Sequence, residues 1–481
     1  MANSNRNNGK KKLTGSYETD IKLLDSSLRV DKIFDLVTRD LLLSSVNARL
    51  YFVDGFAKDE TLVKIITSLT SLKESDIAAC KNIKELSDRY IPYLEVTYSN
   101  DIESITTQVL SGPLALIVDG FSEAVIIDAR EYFVRSISEP ESDRVLRGAR
   151  DGFSETLIVN TSLMRRHIRD PRLTIEYHSV GRVSHTDIAL VYHEDRVDRK
   201  HLETLRRKLA GISVKSLTMA QESLAEVLIG KAWYNPFPKV RYTERPDTAA
   251  ATVSEGGIVL LTDTTPSAML LPTGFFDFFQ DTNDYYLSPL TGSYLRLTRY
   301  IIYMLTLLLI PTWYLCIRNP QWAISQTNVV MIEEPNGIPV FIQLLVVELI
   351  IDCLKQASLN TPSALGTSFS VVSALILGDF AISAHVLVRE VVLYMSFVAV
   401  ANFAQPSFEL GYAFKLCRIM MVVLVALLNI PGYIIGILII VALIATTPTA
   451  TDTSYLAPLI PFDGKRMHRL VVRQRMTHDN S

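Results

Sequence analysis

The stretch IMMVVLVALLNIPGYIIGILIIVALIA, from Ile419 to Ala445, constrains this chain most, because it contains no formally charged side chain. A helix of roughly 20 apolar residues crosses the hydrocarbon core of a bilayer. The stretch is too long for one straight span. Asn429, Pro431 and Gly432 interrupt its middle, which predicts a helical hairpin or a broken helix. Four further apolar blocks follow Arg299: YIIYMLTLLLIPTWYLCI, IPVFIQLLVVELIIDCLKQA, SALGTSFSVVSALILGDFAISAHV and the shorter VVLYMSFVAVANFA. The first and third are long enough to span. Of 48 Lys and Arg and 51 Asp and Glu, only 20 lie after Tyr300.

Arg296 and Arg299 precede the first block, and Lys465, Arg466, Arg469, Arg473 and Arg475 follow the last. Basic flanks mark the cytoplasmic side, so both ends of the helical part are expected there. That requires an even number of crossings, which four single spans plus a hairpin supply. The loop with Glu333 and Glu334 is then expected to face outward.

The first part reads differently. MANSNRNNGKKKLTGSYETD has lysines without an apolar run behind them, so it is expected to be a disordered polar tail rather than a secretory signal. Apolar runs then alternate with helix-period segments, predicting an α/β region of two subdomains. The expected division is a tail over 1–20, α/β subdomains over 21–140 and 141–255, a strand and turn connector over 256–295, a helical membrane domain over 296–450 and a basic tail over 451–481. The net charge of −3 implies no nucleic acid. Cys80, Cys316, Cys353 and Cys417 stand too far apart for a disulfide framework or zinc site.

VDGF occurs twice, at Val53–Phe56 and Val118–Phe121. The first copy predicts strand, turn, helix; the second predicts a hairpin. Neither has the further glycines or the lysine of a phosphate cradle, so Asp54 and Asp119 are expected to be turn residues. Two similar units follow, IALVYHEDRVDRKHLETLRRKLAGI and GGIVLLTDTTPSAMLL. His167, His178, His185 and His193 show no metal-ligand spacing. The stretch around EPESDRVLRGARDGFSETLIVNTSLMRRHIRDP concentrates Arg144, Arg147, Arg150, Arg165, Arg166 and Arg169 among carboxylates. Interspersed signs favour ion pairs at a subunit interface over a binding site for an anion.

EPESDRVLRGARDGFSETLIVNTSLMRRHIRDP and NPFPKVRYTERPD resemble the A subunits of spore germination nutrient receptors. DRYIPYLEV, VLSGPLALIVDG, IIDARE and YLAPLIPFDG bring the match nearest to a sporulation relative within that family. The resemblance runs from about Ser16 to Gly464. It implies a two-part cytoplasmic α/β domain, a membrane domain, no catalytic residues, and subunits gathered in a ring around an ion-conducting pore. Glu348, Asp352 and Pro362 match the family's membrane signature; Lys355 stands where relatives usually have arginine.

Glu348, Asp352 and Lys355 share one helical face, either the inward face of a spanning helix or the polar face of one lying at the interface. Asp379 shares a face with Ser368, Val372 and Leu375, opposite a face of small residues. That pattern fits a pore lining, or a packed bundle in which Asp379 pairs with Arg389 or Lys415; the resemblance favours the pore. The expected function is a multi-pass subunit of the spore inner membrane, both termini on the core side, acting in germination as a homo-oligomeric ion channel. A non-conducting scaffold for other germination membrane proteins is the alternative. Nothing in the chain assembles a nucleophile, base and orienting group, so neither an enzyme, a cofactor nor a metal is expected.

Overall fold

The computed structural model describes residues 11–56, 59–129, 145, 148–229, 234–327, 330–332, 337–360 and 381–473. Most of the polar start, Arg144, Arg147, and the face of Ser368, Val372, Leu375 and Asp379 lie outside the described residues. Contacts divide the chain into an α/β unit and a helical unit.

Within the α/β unit, β1 (Leu36–Leu43), β2 (Val46–Val53), β3 (Val96–Ser99), β4 (Leu114–Val118) and β5 (Ala124–Ile127) form a sheet in the order β1-β2-β4-β5-β3. Every pairing is antiparallel. Strand β4 reads LALIV and is buried throughout because helices cover both faces. Leu114, Leu116 and Val118 join a core with α2 (Asp59–Thr70), α3 (Glu74–Ala78) and α4 (Ile83–Tyr90). Ala115 and Ile117 join another with α1 (Tyr17–Leu28) and α5 (Ile102–Leu110). A strand sandwiched this way loses the polar alternation of a half-exposed one.

The second sheet repeats this plan. Strands β6 (Leu173–Val180), β7 (Thr186–His193), β8 (Arg241–Thr243), β9 (Ile258–Thr262) and β10 (Ala268–Leu271) follow the order β6-β7-β9-β10-β8, again antiparallel. Helices α6 (Leu157–His167) and α9 (Pro246–Ser254) cover one face; α7 (Arg199–Ala210) and α8 (Ala220–Ile229) cover the other. Equivalent turns carry equivalent bonds. Asp54 N donates to Asp35 O and Glu194 N to Arg172 O, while Asp119 N donates to Asn47 O and Asp263 N to Asp187 O. Strands β9 and β10, expected in a connector, belong to this sheet, and Ala450–Asp452 from far along the chain belong to the same unit. Ala450 enters its core, and Lys208 Nζ donates to Ala450 O at 2.9 Å and to Asp452 Oδ1 at 2.7 Å.

Both VDGF segments are turns, with Gly55 at φ +80° and Gly120 at φ +84°. Only the first is crowded. A Cβ on Gly55 would lie 2.4 Å from Ser162 Oγ on α6, whereas nothing lies within 4 Å of one on Gly120.

The helical unit contains α10 (Asn283–Tyr286), α11 (Pro289–Arg318), α12 (Val340–Asn360), α13 (Arg389–Phe403), α14 (Phe408–Leu428), α15 (Ile430–Ala445) and α16 (Gly464–Val471). Among the described residues, α11 and α14 are long and apolar enough to cross a membrane; α15 is apolar but shorter. The long apolar block bends back at Asn429, φ 56° and ψ −128°, between α14 and α15. Gly432 lets the two backbones meet, because a Cβ there would sit 2.0 Å from Leu424 O. The bend frees carbonyls at the end of α14, and Arg318 donates to those of Val425, at 2.9 Å, and Ala426. Asn319 and Asn429 exchange amide bonds of 2.9 and 3.1 Å beside them. Polar groups released at such a bend need partners within the protein.

Candidate functional site

An ionised cluster joins α12 to α14 inside the helical unit. Glu348 and Asp352 lie one turn apart on α12; Lys415 and Arg418 lie three apart on α14, so each pair projects from a single face. Arg418 Nε and Nη2 each approach Glu348 Oε1 at 2.7 Å. Lys415 Nζ lies 3.3 Å from Glu348 Oε2, donates to Glu348 O at 3.1 Å and pairs with Asp352. The remaining reach of Arg418 goes to Thr306 O on α11, at 2.6 Å, so one guanidinium ties three helices.

Glu348, Lys415 and Arg418 are buried; Asp352 is partly exposed. The charges balance as two acids and two bases. That balance matters, because one uncompensated charge at the centre of a spanning helix costs about 2.5–3.5 kcal/mol on insertion scales. Lys355 sits apart, its ammonium 5.7 Å from the Phe403 ring centre and 5.3 Å from that of Tyr412. The aromatic faces stabilise the cation. The shared face of Glu348, Asp352 and Lys355 therefore meets protein. Their partners were legible only as two cations three apart in the apolar run of α14.

A second buried cluster stands at the start of α11. Asp284 accepts from Arg296 Nε at 3.2 Å and from Arg299 Nη1 and Nη2 at 2.9 and 3.0 Å. Arg299 also donates to Phe279 O at 2.8 Å. Arg296 and Arg299, expected to mark the cytoplasmic flank, are buried and neutralised in part by a carboxylate the sequence did not single out.

In the α/β unit the arginine stretch separates. Arg150, Arg166 and Arg169 are exposed. Arg165 is 0% exposed and points into the chain: it pairs with Asp35 and donates to the carbonyls of Asp170 and Leu173, both at 3.1 Å. Arg165, expected at a subunit interface, is thus engaged within the chain, by Asp35 of the first half and by two carbonyls of its own half. Phe34, beside Asp35, donates its N–H to Ile175 O and stacks on Tyr177 at 4.8 Å. Among the described residues no group of three or more His, Cys, Asp and Glu is arranged to hold a metal ion.

Two topologically matching α/β halves, followed by an apolar helical unit with ionised groups packed inside it, define the class of protein. The chain belongs to the Bacillus/Clostridium GerA spore germination protein family, whose pattern matches residues 24–481. It is 35% identical to stage V sporulation protein AF of Bacillus subtilis over 447 residues, covering 92% of this chain and 89% of that one. Identity to spore germination protein KA of B. subtilis is 26%, over 92% of this chain and 82% of the relative. Among solved structures, the N-terminal domain of the A subunit of the Bacillus megaterium spore germinant receptor GerK3 aligns with a TM-score of 0.42 and 22% identity, over 54% of this chain and 96% of that domain.

Proposed function

We propose that this chain is a membrane subunit acting in spore germination, several copies of which surround a pore that releases ions from the spore core. The observation that carries this reading is the balanced Glu348, Asp352, Lys415 and Arg418 cluster inside apolar helices, in a GerA family member. Ionised groups kept among such helices face protein or water rather than hydrocarbon. The cluster also holds α12, whose end leads directly into 361–380.

In this reading Ser368, Val372, Leu375 and Asp379 line the pore. Repeated around a ring, Asp379 concentrates cations beside a constriction formed by Val372 and Leu375. Arg150, Arg166 and Arg169, with Arg144 and Arg147, supply charge pairs between copies. Arg296 donates to Arg469 O at 2.8 Å, so α16 and the start of α11 lie together. That supports an even number of crossings, with both flanks on the core side of the spore inner membrane.

Ion flux from reconstituted vesicles tests the proposal. Val372→Ala is expected to leak and Asp379→Asn to assemble normally but conduct cations less well. A tight Val372→Ala membrane with a destabilised Asp379→Asn protein rejects the pore and leaves a non-conducting scaffold for other germination membrane proteins.

A further inference from the structure

The last described part of the helical unit carries a surface that the pore reading does not use. Past the buried Tyr455, Leu459, Ile460 and Phe462 turn outward, Phe462 with 73% exposure. The carboxylate of Asp463 then accepts from Lys465 N and Arg466 N and starts α16. That helix buries Leu470 and exposes Lys465, Arg466 and Arg469. None of these three side chains makes an ion pair among the described residues.

This surface is fixed against the first turns of α11. Besides the bond from Arg296 to Arg469 O, Arg473 N donates to Ser293 Oγ at 3.0 Å, and its guanidinium donates to Tyr285 O at 2.6 Å and to Leu287 O. On the same turns, Gly292, Arg296, Arg299 and Tyr303 face inward. Leu290, Tyr294, Leu297 and Ile301 face outward at intervals of four, three and four residues, a single exposed apolar stripe. The stripe runs to the beginning of the helix, at the level where α16 is held.

At one level the unit thus presents hydrocarbon-seeking side chains, a tyrosine among them, and cations that make no ion pair among the described residues. Soluble acidic proteins satisfy the cations but not the stripe. A bilayer with anionic headgroups satisfies both, because aromatic rings sit at the headgroup boundary and long basic side chains reach phosphates while apolar neighbours enter the acyl region. We propose that the Leu459–Phe462 loop and α16 form an interfacial anchor: the loop enters the headgroup boundary, and Lys465, Arg466 and Arg469 bind anionic phospholipid headgroups. The inference rests on the reading that α11 spans a bilayer.

The full chain in phosphatidylcholine nanodiscs, with and without phosphatidylglycerol, tests it. Phe462→Trp and, separately, Leu297→Trp are read as emission added to that of the 3 native tryptophans, with brominated phosphatidylcholine as quencher. Both probes are expected to be quenched, and phosphatidylglycerol to raise the unfolding temperature. Arg466→Gln should increase the phosphatidylglycerol needed for half that rise about fivefold, the effect of removing one surface cation, and joint neutralisation of Lys465, Arg466 and Arg469 should abolish it. A quenched Leu297→Trp beside an unquenched Phe462→Trp overturns the anchor while the spanning helix stands. Failure of both probes to be quenched overturns the spanning reading as well. An undiminished phosphatidylglycerol effect in the neutralised chain overturns the headgroup contact.

Discussion

Arg165 and Asp35 face each other through two hydrogen bonds, Nε to Oδ2 at 2.9 Å and Nη2 to Oδ1 at 3.0 Å, with both side chains sealed from solvent. Arg165 belongs to the second sheet's helix α6 and Asp35 to the approach of the first sheet's β1, so the pair fastens the two halves. Asp35→Ala leaves the guanidinium buried and uncompensated, at a cost of about 3–5 kcal/mol. Asp35→Leu combined with Arg165→Met should recover most of that loss. Thermal unfolding of the purified full chain, with limited proteolysis between the sheets, measures both.

The two glycine turns should respond unequally. Gly120→Ala meets only the penalty of a left-handed backbone, about 1 kcal/mol. Gly55→Ala meets that penalty and also drives a methyl group against Ser162 Oγ, which donates to Asp54 O at 3.2 Å. The larger drop in unfolding temperature is therefore expected for Gly55→Ala. Equal drops would show that the first turn is not tightly docked on α6.

Acid should loosen the second sheet at an identifiable carboxylate. Burial raises the pKa of Glu176, but hydrogen bonds with His178, Arg206 and Tyr192 outweigh it and hold the carboxyl at about 2, below its ordinary 4.5. Because the folded value is the lower one, its stabilisation is complete above the unfolded value and is lost as pH falls toward about 2. Glu176→Gln should consequently be less stable than the parent near neutrality, with the gap closing across that window. A pH series of thermal melts reads the difference.

The cluster in the helical unit separates packing from conduction. Arg418→Met leaves Glu348 Oε1 without its guanidinium partner and should destabilise the chain by about 3–5 kcal/mol, read as loss of folded protein in detergent. Glu348→Met with Arg418→Met removes both charges and should recover folding. If ion flux then remains at the parental level, the pair serves helix packing alone; a folded but non-conducting double variant places it in the conduction machinery.

Elements whose cause is local were legible in the sequence. Asn429, Pro431 and Gly432 announced the bend, and Asp-Gly announced both turns. Strand β1 has no clear signal in the sequence, because Arg39 and Asp40 are exposed in its middle and interrupt the apolar alternation. The repeated strand order was missed for another reason: it resides in backbone pairing, and Asp119–Gly120 is matched by Asp263–Thr264, with Thr264 also left-handed at φ 65°. Arg165 shows the limit most plainly. Its neighbours Arg166 and Arg169 are exposed, and only the partner 130 residues earlier distinguishes it. The predicted pore face lies outside the described residues, so its sequence pattern remains the basis of that proposal.

The placement of Ala450–Asp452 sets an order of events during synthesis. The second sheet has all its strands once Leu271 has emerged, yet Ala450 supplies part of its core and Asp452 the partner of Lys208. Roughly 180 residues separate these moments, about 10–35 s of translation at ordinary rates. The α/β unit therefore waits, incompletely closed, until the ribosome has finished the hairpin helices, and a chain truncated before Ala450 leaves a gap in the second sheet's core and Lys208 without its partner.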